Sequence, residues 1–250
     1  MTIFPKARRE RRERIARYCK RLSWSQTAVA LCEAASPMQE VFLEDVMAAE
    51  LANREVGRRA RLMSRAGFPA HKTLADFDRR VVQLPSILTW EELEQGTFIR
   101  DHRNLVFFGN VGLGKSHLAT ALGMAACERG QTVRFATVTG LVVRLTEALQ
   151  AGTLERAFRE LQRTDLLILD EWGYLPIDRE GAQLLFRVVA DSYETRSLIL
   201  TTNLEFSKWG TVFTDDQMTA AMIDRLAHHG HLVLFEGESY RMQHALMKER

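Results

Sequence analysis

The chain has 250 residues, 46% of them hydrophobic, with 34 Lys and Arg against 32 Asp and Glu. That suffices for the core of one large domain, or of a large and a small one, and no apolar run nears the roughly 18 residues of a membrane span. The opening MTIFPKARRERRERIARYCKR has no apolar stretch of a secretory signal, and Cys19, Cys32 and Cys127 are too scattered for a disulfide frame or zinc site, which suits reduced thiols in a cytosol.

The small net charge of +2 hides an uneven distribution: residues 1–80 hold 17 Lys and Arg against 10 Asp and Glu, and the rest hold 17 against 22. Nine of the basic groups fall in the first 21 residues. A basic arm of this kind suits a polyanion such as DNA or RNA, met through its phosphates, and equally suits a solvated helical face. Residues 1–66 read as helices. Over Met38 to Arg65, the residues Val41, Phe42, Val46, Ala49 and Ala52 recur near helical spacing, until Gly67, Phe68 and Pro69 break the pattern. The expected division is a basic α-helical N-terminal domain over 1–70 and a second domain over 71–250, entered through HKTLADFDRR.

From about Ser86 the chain alternates apolar strands with helical patterns. Strands are expected at 104–108, 131–136, 165–169, 197–202 and 231–237. Helices are expected at 115–129, near 140–150, 154–162 and 180–194, and near 215–228 with a capping box opening at Thr214. Continuous apolar strands alternating with helices predict an α/β fold, a parallel sheet between helical layers.

Three strand ends carry chemistry. Between the first strand and its helix lies GNVGLGKSH, which meets the spacing G-x-x-x-x-G-K-[ST] with Gly109, Gly114, Lys115 and Ser116. Glycines let the backbone N–H groups of Gly109, Asn110, Val111, Gly112, Leu113, Gly114 and His117 curl around phosphate oxygens at a helix N-terminus. In that arrangement Lys115 reaches the β- and γ-phosphates, and the Ser116 hydroxyl ligates Mg²⁺. The run LLIL then ends in Asp170 and Glu171. Near such a loop, Asp170 can hold the Mg²⁺ shell and Glu171 can orient or deprotonate an attacking water. The run LIL ends in Thr201, Thr202 and Asn203, where an amide could touch a γ-phosphate or simply cap a turn. The i, i+1, i+3 spacing of His228, His229 and His231 is poor for a metal.

Four stretches, GNVGLGKSHLATAL, DLLILDEWGYLP, LILTTNLEFSKWGTVFTDD and DRLAHHGHLVLFEGESYR, together resemble the IstB-like ATP-binding proteins. These are helper ATPases of bacterial insertion sequences, similar to the DnaC-type helicase loaders and, like them, AAA+ ATPases. The resemblance runs from about Leu74 to Arg241. It implies an AAA+ P-loop core, with ATP and Mg²⁺ held by Lys115, Ser116 and Asp170. Glu171 is then the catalytic base, Asn203 a sensor of the γ-phosphate, and Arg225, in IDRL, an arginine finger acting on a neighbouring subunit. A salt bridge from Arg225 to Asp224 or Asp216 is the plainer alternative. Arg241 could be a second sensor, although no C-terminal helical lid is evident. Implied partners are duplex DNA, the element's transposase and further copies of the chain, in a bacterial cytoplasm. The runner-up is a DnaC-type loader acting on single strands. A non-catalytic adaptor and a small-molecule kinase are the readings from other classes.

Overall fold

The computed structural model describes residues 5–174, 176–213 and 215–240. The chain parts into two compact units between Arg61 and Leu62. That point lies inside a long helix, upstream of the Gly-Phe-Pro break at which the sequence suggests a boundary.

The first unit is three helices: α1 (Pro5–Leu22), α2 (Gln26–Glu33) and most of α3 (Pro37–Ala66). Its small core gathers Ile15, Cys19, Leu22, Cys32 and Met47. Ser25 caps α2 by accepting from the Ala28 N–H. The arginines of α1 are largely engaged by α3. Arg8 and Arg12 donate to the buried Glu40 carboxylate at 3.0 and 2.7 Å, and Arg11 and Arg14 to Glu44. Both carboxyls are held below their usual range, foremost by the hydrogen bonds from Arg8 and Arg14 respectively. Lys6, Arg17, Lys20 and Arg21 stay exposed.

In the second unit the last turn of α3 leads, through a turn in which Thr73 Oγ1 accepts from the Asp76 N–H, to the short strand β1 (Val82–Gln83). Helices α4 (Trp90–Gln95) and α5 (Thr97–Arg100) follow, then β2 (Asn104–Gly109), α6 (Lys115–Glu128), β3 (Val133–Thr137), α7 (Val138–Gln150), α8 (Leu154–Gln162) and β4 (Leu166–Asp170). The rest is α9 (Arg179–Ser192), β5 (Ser197–Thr202), α10 (Gly210–Phe213), α11 (Asp216–His228) and β6 (Gly230–Phe235). Thr214 lies outside the described residues. The cap of α11 is Asp215, whose carboxylate accepts from the Met218 N–H at 2.8 Å.

The six strands form one sheet in the order β1-β6-β2-β5-β4-β3. Pairing is parallel except at the edge, where β1 runs against β6. The expected parallel sheet is present, with one short antiparallel strand added at its edge, where two residues are too few to show a period in the sequence. The strand alternation sends successive residues to opposite faces. Val106, Leu167, Leu169, Leu198 and Leu200 join the core under α7 to α11. Leu105, Phe107, Leu166, Ile168 and Ile199 join the core under α4, α5 and α6. Strands buried on both faces read as unbroken apolar runs, which is why LLIL and LIL stand out in the sequence. Buried Asn104 fixes the start of β2 by accepting from the Leu198 N–H at 3.0 Å.

Candidate functional site

Because β2, β5 and β4 are adjacent and parallel, their C-terminal ends lie along one edge of the sheet. The glycine loop, Asn203 and the Asp170–Glu171 pair are brought together there, at a switch in strand order where α/β sheets bind ligands.

The loop from Gly109 to Gly114 turns through three glycines of positive φ: 153° at Gly109, 85° at Gly112 and 87° at Gly114. These conformations strain any side chain, and the space is also taken. A Cβ on Gly109 would fall 2.2 Å from the Phe235 carbonyl oxygen, and one on Gly112 would fall 2.1 Å from Ser239 Oγ. The Tyr240 N–H donates to Gly112 O at 3.1 Å, so the chain beyond β6 crosses the loop. On the other side Phe77 packs near Gly114 and lies 5.5 Å from the His117 ring, whose Nε2 is 3.1 Å from Thr73 O. The segment TLADFD thus forms one wall of the loop, and the His117 side chain is turned to that wall. Asn110 and Val111 are exposed, whereas Leu113 anchors the loop in the core.

Lys115 and Ser116 open α6, whose first N–H groups have no helical acceptors. Lys115 Nζ donates to the carbonyls of Gly109 and Asn110, each at 2.7 Å, which draws the loop around the ammonium. Ser116 Oγ donates to Asp170 Oδ1 at 2.7 Å. Thr201 Oγ1 donates to the same Asp170 oxygen and accepts from the Glu171 N–H at 3.1 Å, while the Trp172 N–H donates to Thr201 O at 2.9 Å. One threonine of β5 therefore holds three successive residues, the last of β4 and the two that follow it. Glu171 sits at φ 62°, a left-handed conformation costly for a residue with a Cβ. Buried Trp172, packed on Trp209 and Phe213 at 5.1 and 5.3 Å, anchors that turn from below and leaves the Glu171 side chain exposed. The positioning role of Thr201 escapes sequence reading, since its signal, the TTN end of the strand, is equally a turn signal. Asn203 is exposed just beyond β5.

Arg225 is not part of this cluster. Helix α11 packs with α9 on the sheet face opposite α6 and runs toward the start of β6, at the edge away from the glycine loop. Arg225 donates to Ala221 O at 2.9 Å and lies over the Phe186 ring at 5.2 Å. Among the described residues it makes no ion pair with Asp224 or Asp216. Arg241 lies outside the described residues.

The donor set fits a nucleotide triphosphate with a divalent cation: a glycine cradle, a lysine at a helix start, and a hydroxyl beside a carboxylate. Among the described residues no helix is long and apolar enough to cross a membrane.

Comparison with known proteins agrees with this geometry. The chain is 36% identical over 248 residues to a protein of Geobacillus stearothermophilus named as an ATP-binding protein of insertion sequence IS5376, covering 95% of this chain and 97% of that one. It is 39% identical over 189 residues to the corresponding IS21 protein of Pseudomonas aeruginosa, covering 72% and 68% of the two chains. Among solved structures, the AMPPCP-bound DnaA of Aquifex aeolicus aligns with a TM-score of 0.56 at 22% identity, over 71% of this chain and 54% of that one. The DnaC helicase loader aligns with a TM-score of 0.50 at 18% identity, over 56% of this chain and 85% of that one. These likenesses show an AAA+ P-loop fold. The profile of the IstB-like ATP binding proteins matches residues 22–248, and the chain belongs to that family.

Proposed function

We propose that this protein is the ATP-hydrolysing helper of an insertion sequence, which assembles on duplex DNA in the bacterial cytoplasm and engages the element's transposase. The observation that carries the catalytic part is the single hydrogen-bonded cluster of Ser116, Asp170, Thr201 and the Glu171 backbone beside the glycine loop. The part concerning transposition rests on relatives named for insertion sequences.

In this reading the loop N–H groups from Gly109 to His117 bind the phosphates, and Lys115 turns from the loop carbonyls to the β- and γ-oxygens. Ser116 and Asp170 would hold Mg²⁺, which when bound offsets phosphate charge. Glu171 orients the attacking water and accepts its proton, held by the strained turn that Thr201 braces. Asn203 donates to the γ-phosphate or that water. Arg225 lies on the far edge of its own sheet, so it serves the site of an adjoining copy, where its guanidinium offsets developing charge. ATP then acts as a ligand that favours the assembled state, and hydrolysis releases it. The exposed cations of α1 meet DNA phosphates without reading sequence.

The test is DNA binding by the purified protein with ADP or a non-hydrolysable ATP analogue, on duplex and single strands of equal length, across a salt series. Duplex binding that requires the analogue, with a steep salt slope, supports the reading. A DnaA neighbour was solved with AMPPCP and single-stranded DNA, and a single-strand preference here would favour a helicase loader instead. Binding indifferent to nucleotide would overturn the mechanism.

A further inference from the structure

Two turns leave the sheet side by side at the candidate site. One follows β4 and carries Glu171; the other follows β5 and carries Asn203. Both side chains are exposed, so neither is fixed by packing of its own. The first turn also works against its own shape. Glu171 is left-handed, and the indole Nε1–H of Trp172 is buried with no acceptor among the described residues. A buried donor without a partner weighs against the arrangement that buries it, so other contacts must hold the turn.

Buried Thr202 supplies one that Thr201 does not. Its hydroxyl donates to the Trp172 carbonyl at 2.8 Å and accepts from the Leu204 N–H at 3.0 Å. One oxygen thus joins the residue after Glu171 to the residue after Asn203, and its single proton is committed in doing so. The Leu204 carbonyl accepts from Trp209 Nε1–H at 3.1 Å, and Trp209 packs on Trp172 at 5.1 Å. The turns also touch: a Cβ on Gly173 would fall 3.0 Å from Leu204 Cδ2.

We propose that Thr202, braced by Trp209, is a positioning residue that fixes the spacing between Glu171 and Asn203, so that both side chains meet one water and one phosphate together. This rests on the roles given to those two residues above. Thr201 ties the first turn to β5, whereas Thr202 ties it to the second turn. A misplacement of about 1 Å between reacting groups costs up to about 100-fold in rate, so a loosened tie is felt in turnover before it is felt in binding.

A double-mutant cycle on steady-state ATP hydrolysis by the full chain, with duplex DNA present, tests this. Thr202→Val is expected to lower kcat about tenfold with KM within about threefold of wild type, and Thr202→Ser to recover most of the loss. Asn203→Ala is expected to be slow in its own right. Adding Thr202→Val to it should cost less than about twofold further, because the spacing to a missing amide no longer matters. Trp209→Phe keeps most of the packing and deletes one N–H; it should show the same pattern at about threefold, and it carries the test if Thr202→Val does not fold. An equal loss in both backgrounds, an unchanged kcat, or a loss confined to KM would overturn the proposal and leave Glu171 and Asn203 their roles. Asn203→Ala turning over at the wild-type rate would instead remove Asn203 from the site, and the task of Thr202 with it.

Discussion

Ser116 Oγ donates to Asp170 Oδ1 across 2.7 Å, joining the first turn of α6 to the last residue of β4. The two residues are 54 positions apart and meet only because β2, β5 and β4 lie side by side. Asp170→Asn keeps the shape and removes the charge that would hold a cation. ATPase activity should fall by about 100-fold or more, with a larger loss of affinity for Mg·ATP than for metal-free nucleotide. Equal losses for the two would count against a cation between these oxygens.

Glu171→Gln should leave nucleotide affinity within about threefold of wild type and abolish turnover. If hydrolysis releases the DNA, as proposed, duplex DNA should then be retained in ATP. Rapid release of DNA by this variant on adding ATP would remove Glu171 from the role of base.

Thr201→Val deletes the hydroxyl that braces both acidic residues and leaves the buried Asp170 oxygen with one partner fewer. The expected result is about a tenfold drop in kcat with KM little changed, and a loss of about 1 kcal/mol of stability. Thr201→Ser should recover most of the activity. A purely structural threonine would lower the thermal midpoint without altering kcat.

Arg225→Ala should bind ATP but not hydrolyse it. Mixing it with Glu171→Gln, also inactive, restores activity if the finger acts between copies: a Glu171→Gln subunit then lends its arginine to the intact site of an Arg225→Ala subunit. No recovery on mixing would mean that Arg225 does not act in trans.

Much of this was legible in the sequence, for reasons that particular residues make clear. Strands β2, β4 and β5 are buried on both faces, so composition alone marks them within a residue or two. The glycine spacing around Lys115 marks the loop. Strand β1 has two residues and cannot show a pattern. Helices α4 and α5, of six and four residues, are too short to show a helical period, although Thr89 and Glu92 form a capping box that opens the first of them. The charge run of α1 reads as a free basic arm because sequence does not tell which face of a helix meets Glu40 and Glu44. The same blindness hides the His117 contact with Thr73.

The pairing of Glu40 carries a pH consequence. Its carboxyl is held below the ordinary value in the folded chain, chiefly by Arg8 and then by Arg12. The resulting stability is present above the unfolded carboxylate pKa of about 4.3 and is lost as pH falls through the lower folded value. Thermal midpoints taken from neutral pH downward should therefore decline in the acid range. Glu40→Gln should lower the neutral value and flatten that decline; an unchanged slope would show that the ion pairs do not contribute.

The strand order also has a consequence for biosynthesis. The strand that leads into the glycine loop is flanked by β5 and β6, the last two strands to leave the ribosome. Until Ser197–Thr202 has emerged, β2 has neither neighbour, and both of its edges are open to pairing with other chains. A message cut short before that point yields a polypeptide that carries the whole loop motif but no seat for it. Residues 197–235 thus decide whether the chain before them can become a nucleotide site or only an aggregate.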